Sequence, residues 1–373
     1  MLRMLLLAFS LFLAAAMPAQ AQRAGALVSA DPVRDAPAGM QAWKIAYWTT
    51  DRDGRAARVT GMVVAPRPAP AQRRVIAWTH GTWGVVERCA PSLSPDFWEL
   101  TPALAEMIRR GFTVVAPDYP GLGSDMPHPY LVGVDTARSV LDAVRAARSI
   151  AGAEVGDAFA LWGESQGGHA ALWTAIEARG YAPELRLVGT AAAAPPTDLP
   201  ANLRSGSDAN IRAMLTAYTA YSWSQRFGHP LSTLFNRTNA GVVTRLARNN
   251  CVTLGKKPRI GTILGIVSVR NALKNKDIGR IEPWGRIARA NSVTPAAVPG
   301  PLLIAQSGGD TVVGSAVTAS FARARCRSGA PLRYIVLPGG DHARTARDSA
   351  TATLDWIEAR FARQKAPSDC GRI

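Results

Sequence analysis

Gly163-Glu164-Ser165-Gln166-Gly167 follows the apolar run Asp157-Ala158-Phe159-Ala160-Leu161-Trp162 and opens into Gly168-His169-Ala170-Ala171-Leu172-Trp173. A strand-like run, a Gly-x-Ser-x-Gly turn and a helix-like run in that order describe a sharp strand-to-helix turn with a serine at its tip. The backbone at such a tip is strained, and a Cβ at either flanking position would strike neighbouring backbone. Ser165 is therefore the candidate nucleophile. The pentapeptide alone is common, and a plain Gly-Ser turn would need no acid and histidine downstream.

Both follow, in order. Residues 301–306 read as a buried strand that Ser307-Gly308-Gly309-Asp310 ends in a turn, leaving Asp310 at the carboxyl edge of the sheet, where ligands of open α/β sheets bind. Asp310 is the candidate orienting acid. A further strand over 331–337 runs into Pro338-Gly339-Gly340-Asp341-His342, and a helix-like run follows over 344–361. His342 is the candidate base. Asp341 competes for the role of acid, but side chains of sequence neighbours diverge, so it reads as a turn residue. Of the other four histidines, His80, His128, His169 and His229, none follows the last strand, and no pair has metal-ligand spacing. His169, on the helix after the serine, reads as a hydrogen-bonded packing residue. Neither a metal nor a cofactor is expected.

A serine hydroxyl is scarcely ionised at neutral pH, so an imidazole must take its proton during attack and return it to the leaving group. A carboxylate fixes the imidazole tautomer, and two backbone N–H groups bind the developing oxyanion. One donor is expected to be Gln166, the residue after the serine. The second is expected from the loop after strand 74–79, which continues into His80-Gly81-Thr82-Trp83-Gly84; Thr82 is preferred, with Gly81 the alternative. His80 shapes that loop, and His80 and Trp83 are counted among the substrate-binding candidates.

The chain has 373 residues, of which 47% are hydrophobic and 19% charged, as suits a globular enzyme and not a disordered segment. Residues 1–21 read as a secretory signal peptide, with Arg3 before an apolar run and Ala19-Gln20-Ala21 as the cleavage site, implying a secreted or periplasmic protein. The run is short for a bilayer span. In an oxidising compartment Cys89, Cys251, Cys326 and Cys370, without a Cys-x-x-Cys pair, suggest two disulfides. Three pairings fit the spacing; the expected one joins Cys89 to Cys251 and Cys326 to Cys370. The net charge of +16 is mostly Arg, without a long basic run or recognition motif, so nucleic acid is not the expected partner. Adhesion to anionic surfaces or lipid interfaces suits it better.

The remaining pattern alternates strand and helix. Residues 22–40 read as a loosely ordered arm, 43–50 and 58–64 as an entry pair of strands, 98–110 and 134–149 as helices, and 112–116 and 185–192 as strands. This predicts a mainly parallel, doubly wound sheet, formed by residues 22–196 and 300–373. About a hundred residues separate the strand ending at 192 from Pro301, far more than a βα connection uses. Residues 197–299, with helix-like runs over 210–227, 239–249 and 262–274, are therefore expected to form a helical cap, or lid, above Ser165. Within it Tyr218, Tyr221, Trp223 and Phe227 are an aromatic cluster that either lines the substrate pocket or packs the cap onto the core.

Taken together, the Trp78-Thr79-His80-Gly81 loop, Pro117-Asp118-Tyr119-Pro120-Gly121-Leu122-Gly123, His128-Pro129-Tyr130-Leu131, residues 142–147, the Gly163–Gly167 turn and Tyr181-Ala182-Pro183-Glu184-Leu185 resemble the secretory lipase family of α/β-hydrolases. The resemblance covers most of the mature chain. It implies an α/β-hydrolase fold with a helical cap after the sixth core strand, two disulfides, and hydrolysis of carboxylic esters, often lipid esters. The roles it implies for Ser165, Asp310 and His342 are those already derived. The acid that supports the oxyanion hole in some members falls on or near Asp118 or in the His80 loop. A peptidase on the same fold shares the chemistry, and a non-catalytic binding protein is the rival of another class.

Overall fold

The computed structural model describes residues 22–69, 74–252 and 257–373; the signal peptide expected over 1–21 lies outside them. Nine strands among these residues make one sheet: β1 (Leu27–Pro32), β2 (Met40–Thr50), β3 (Ala56–Pro66), β4 (Arg74–Thr79), β5 (Phe112–Pro117), β6 (Ala158–Glu164), β7 (Arg186–Ala193), β8 (Leu302–Ser307) and β9 (Leu332–Leu337). Their order is β1-β2-β3-β5-β4-β6-β7-β8-β9. The pairs from β1 to β5 by way of β2 and β3 are antiparallel, and the rest of the sheet is parallel.

The core helices before the insertion are α1 (Phe97–Leu100), α2 (Leu104–Arg109), α3 (Gly133–Ala147) and α4 (Gln166–Tyr181). Between β7 and β8 come α5 (Leu199–Ser205), α6 (Ala209–Phe227), α7 (Arg237–Asn249), α8 (Ile260–Leu273) and α9 (Trp284–Ala290). The chain ends with α10 (Ser315–Arg327), α11 (Thr345–Asp348) and α12 (Ala350–Phe361).

Strands β5 and β8 are buried along their whole length, because helices cover both faces. Alternation along β4 shows the two layers: Val75 and Ala77 pack with Leu141, Val144 and Leu172 of α3 and α4 on one face. Ile76 and Trp78 meet Met107 of α2 and Leu354 and Ile357 of α12 on the other. The parallel order sends the carboxyl ends of β4, β6, β8 and β9 to one edge of the sheet, where the loops bearing the chemistry converge.

Three expectations need correction. Residues 27–32 are not part of a loose arm: they pair antiparallel with β2, Leu27 opposite Tyr47 and Asp31 opposite Lys44. The strand Leu27-Val28-Ser29-Ala30-Asp31-Pro32 has no clean apolar alternation, and its order comes from the open backbone of β2. The helix expected over 98–110 breaks into α1 and α2 at Thr101-Pro102-Ala103, where Ala103 has φ 55° and Pro102 has no N–H to continue a helix. The run over 344–361 likewise breaks at Ser349.

Helices α5 to α9 have their own hydrophobic centre, in which Tyr218, Trp223, Phe235, Leu246 and Trp284 pack with Tyr130 and Leu131 of the core. Two disulfides close, Cys89–Cys251 between the loop after β4 and the cap, and Cys326–Cys370 between α10 and the C-terminal segment. They span 162 and 44 residues, which in the chain-entropy picture is worth ~5 and ~4 kcal/mol.

Candidate active site

The turn from β6 to α4 has the strain that its sequence demands. Ser165 adopts φ 55°, ψ −122°, a region L-residues avoid at a cost of ~1–3 kcal/mol. Its N–H donates to the Ala193 carbonyl at 2.8 Å. A Cβ at Gly163 would lie 1.9 Å from Thr79 Oγ1, and one at Gly167 1.8 Å from the Thr79 carbonyl oxygen. Only glycine fits at either position. The close approach is used: Thr79 Oγ1 donates to the Gly167 carbonyl at 2.7 Å, locking β4 to the turn.

His342 begins a short turn after β9. Its Nε2 lies 2.7 Å from Ser165 Oγ and its Nδ1 2.8 Å from Asp310 Oδ2. With a carboxylate at Nδ1 the ring carries its proton there, leaving the Nε2 lone pair to accept from the serine hydroxyl. Asp310 Oδ1 accepts from the Val312 and Val313 N–H groups, each at 2.9 Å, and Oδ2 also from Gln306 Nε2 at 3.0 Å. Burial by itself would raise this carboxyl, but the His342 contact and the two N–H groups hold it below the usual carboxylate value. Asp341 takes no part in this chain of contacts and caps the turn, accepting from the Arg344 N–H at 3.0 Å.

The loop after β4 passes directly beside the serine. A Cβ on Gly81 would lie 3.8 Å from Ser165 Cβ. His80 Nδ1 lies 2.6 Å from the Gly81 carbonyl oxygen and Nε2 3.1 Å from the Asp118 carbonyl oxygen, so a ring with one N–H donates to one of the two, and it stacks on Tyr119. Burial pushes the His80 imidazole down to about 4, so it stays neutral. Thr82 Oγ1 pairs with the Tyr130 hydroxyl at 2.8 Å. Opposite the loop, Gln166 opens α4, whose first N–H groups have no acceptor within the helix. The Gln166 side chain is turned to His128 Nε2, 3.1 Å away. Asp118 points its carboxylate elsewhere, accepting from Ser92 N–H and Oγ and from Thr60 Oγ1 at 2.5–2.9 Å. Its part is to hold the loop through its backbone. His169 bonds to the Asn291 carbonyl at 2.7 Å, as a packing residue would.

Two cavities meet at Ser165. The larger, of about 510 Å³, is lined by His80, Thr82, Trp83, Tyr218, Ile266 and His342 among others. The smaller, of about 60 Å³, runs between α5 and α6 past Gln166, Leu199, Asn202, Thr219 and Trp223. Tyr218 and Trp223 thus line the site and also pack the cap: the Tyr218 hydroxyl donates to the Asn250 carbonyl at 2.9 Å and Trp223 Nε1 to the Tyr130 carbonyl at 2.8 Å. Tyr221, grouped with them as a pocket residue, lines neither cavity. It lines instead a separate hollow beside Met126 and Arg248.

Two residues at the site escaped the sequence reading. Glu164 lines the larger cavity, and its Oε1 has no hydrogen-bond partner among the described residues. Burial pushes its carboxyl up to about 7, against the pull of His342, the Ala346 N–H and Arg347. Asn202 lines the smaller cavity with neither amide atom partnered among the described residues. Glu164 stood at the variable position of the pentapeptide, where the motif says nothing of burial, and Asn202 has no pattern around it at all.

Residues 99–369 match the model of the secretory lipase family. Lipase 4 of Candida albicans is 26% identical over 306 residues, covering 76% of this chain and 65% of that protein. The chain therefore spans just under two thirds of that relative's length. A probable inactive lipase of Mycobacterium tuberculosis is 26% identical over 357 residues, 87% of this chain and 75% of that one. Among solved structures, Candida antarctica lipase A superposes with a TM-score of 0.73 at 18% identity, over 94% of this chain and 84% of that chain. The rice cell wall degrading esterase LipA of Xanthomonas oryzae gives 0.70 at 20% identity, over 92% and 100%. At such identities the likeness is one of fold.

Proposed function

The chain belongs to the secretory lipase family, and on that premise we propose that it is an exported serine hydrolase cleaving carboxylic esters of lipid or acyl type. The observation that carries the reading is the chain of contacts Ser165–His342–Asp310, at 2.7 and 2.8 Å, opening into a mainly apolar cavity. Ser165 attacks the ester carbonyl as His342 Nε2 takes its proton, and Asp310 holds the imidazolium. The tetrahedral oxyanion is received by the Gln166 N–H and a donor of the Gly81-Thr82 loop. His342 returns the proton to the departing alcohol, and water then cleaves the acyl-enzyme by the same steps. Residues 197–299 act as the lid that encloses the acyl chain. Export is supported by the family and by two disulfides, which persist in oxidising compartments.

Hydrolysis of para-nitrophenyl esters from acetate to palmitate tests this, with Ser165→Ala as the blank. Wild type should turn over esters, and the variant should lose roughly five orders of magnitude in kcat while melting within a few degrees of wild type. Wild type inert on every ester, or a variant as active as wild type, would overturn the reading.

A further inference from the structure

Helix α8 has the composition of a core helix and the exposure of a surface one. Apolar residues lie all round its fourteen positions, which ordinarily means enclosure, yet Val269 is its one buried residue. Ile260 is 78% exposed, Leu264 64% and Ile263 46%, and Ile211 of α6 adds 39%. These are four of the seven large apolar side chains left exposed among the described residues, so the exposure is concentrated and calls for an explanation.

The other side of the helix is held. Thr262 Oγ1 donates to Asn250 Oδ1 at 2.6 Å and Ser268 Oγ to Asn239 Oδ1 at 3.0 Å. A Cβ at Gly265 would lie 2.9 Å from Leu246 of α7. Ile260, Ile263 and Leu264, spaced i, i+3 and i+4, share the outward face. The patch runs to the rim of the larger cavity, which Ile211 and Ile266 line.

Along the chain the charge on either side of it has one sign. From residue 209 to residue 276 the sequence holds eleven Lys and Arg and not one Asp or Glu. Lys257 and Arg259 stand exposed before α8, and Arg270 and Lys274 at its end. Elsewhere cations find carboxylates, as Arg226 does with Asp135 at 2.6 Å; no carboxylate of the described residues pairs with these four.

We infer that this face of the cap docks onto an anionic lipid–water interface. Ile260, Ile263 and Leu264 enter the acyl boundary, while Lys257, Arg259, Arg270 and Lys274 meet the headgroup phosphates. At roughly 1.5 Å per residue α8 is about 21 Å long, short of the ~30 Å hydrocarbon core, so it lies in the plane of the surface. Docked in this way, the protein turns the rim of the Ser165 cavity toward the lipid. The inference deepens the ester-hydrolase reading, but binding needs no catalysis, and the two can fail separately.

The test is co-sedimentation of the Ser165→Ala chain with vesicles of phosphatidylcholine alone and of phosphatidylcholine with phosphatidylglycerol. Partitioning should be about tenfold or more stronger with phosphatidylglycerol and should weaken as salt screens it. Triple substitution Ile260→Ser, Ile263→Ser, Leu264→Ser should lower it at least about tenfold, and Lys257→Glu with Arg259→Glu should abolish the preference for phosphatidylglycerol. Neither set, placed in the Ser165 chain, should alter hydrolysis of a soluble short ester. No binding, equal binding to both vesicles, or binding indifferent to the triple substitution would overturn the inference. So would a dimer in solution that the triple variant turns to monomer, since a second copy would then be the occupant. A chain that binds vesicles but cleaves no ester in its Ser165 form would sink the hydrolase reading and leave the surface standing.

Discussion

Ser165, His342 and Asp310 come from three separate loops, and each owes its position to a different local force. Backbone strain lifts the serine, a short turn capped by Asp341 aims the imidazole, and two backbone N–H groups hold the carboxylate. If Asp310 chiefly fixes the tautomer, Asp310→Asn should keep the fold and lose roughly four orders of magnitude in kcat; steady-state kinetics on a short ester would reveal a milder loss. Glu164 gives a prediction with a definite sign. Folding keeps its proton until about pH 7, whereas the unfolded chain sheds it near about 4.3. The stability it contributes is therefore full below that lower value and declines as pH rises through the folded value. Glu164→Gln cannot ionise, so its Tm should gain on wild type between those limits and run parallel above them. A difference that stayed constant with pH would refute the buried carboxyl. At this scale the sequence revealed residues bound to a motif or to the end of a strand. Glu164 and Asn202 matter by what surrounds them, and burial is a property of the assembled fold.

The elements were legible where periodicity is long. The parallel strands and α3 and α6 fall within about two residues of their expected limits, the usual latitude for element ends, whereas α4 runs eight residues past the helix-like run 168–173. What was hidden has two causes: β1 is ordered by pairing with β2, and α1 and α2 part at Pro102, a local break within the helix-like run 98–110. The placement of Tyr221 in a hollow beside Met126 and Arg248 depended on the segments packed against α6, which the aromatic cluster alone could not supply. The Cys89–Cys251 bridge ties the loop after β4 to the segment between α7 and α8 across 162 residues. Replacing both cysteines by serine should cost ~5 kcal/mol, or roughly 10 °C in Tm, and should raise KM for long acyl esters more than for acetate as the cap loosens. Equal effects on all esters would mean that the bridge serves stability alone.

For the whole molecule, the family is the secretory lipases and the solved structures share its fold, but neither by itself makes the chain active, since one relative is named a probable inactive lipase. Activity rests on the assembled site. The charge distribution has the same character: the net +16 forms no long basic run, and although the stretch 209–276 lacks acids in the sequence, only the fold sets Lys257, Arg259, Arg270 and Lys274 at the two ends of the exposed apolar helix α8. The most direct measurement is labelling of the folded chain with a fluorophosphonate, which reacts with an activated serine far faster than with an ordinary one, followed by peptide mass spectrometry. A single adduct on Ser165, absent from Ser165→Ala and strongly slowed in His342→Ala, is the expected result. An unlabelled wild type, or an adduct on any other serine, would contradict the triad.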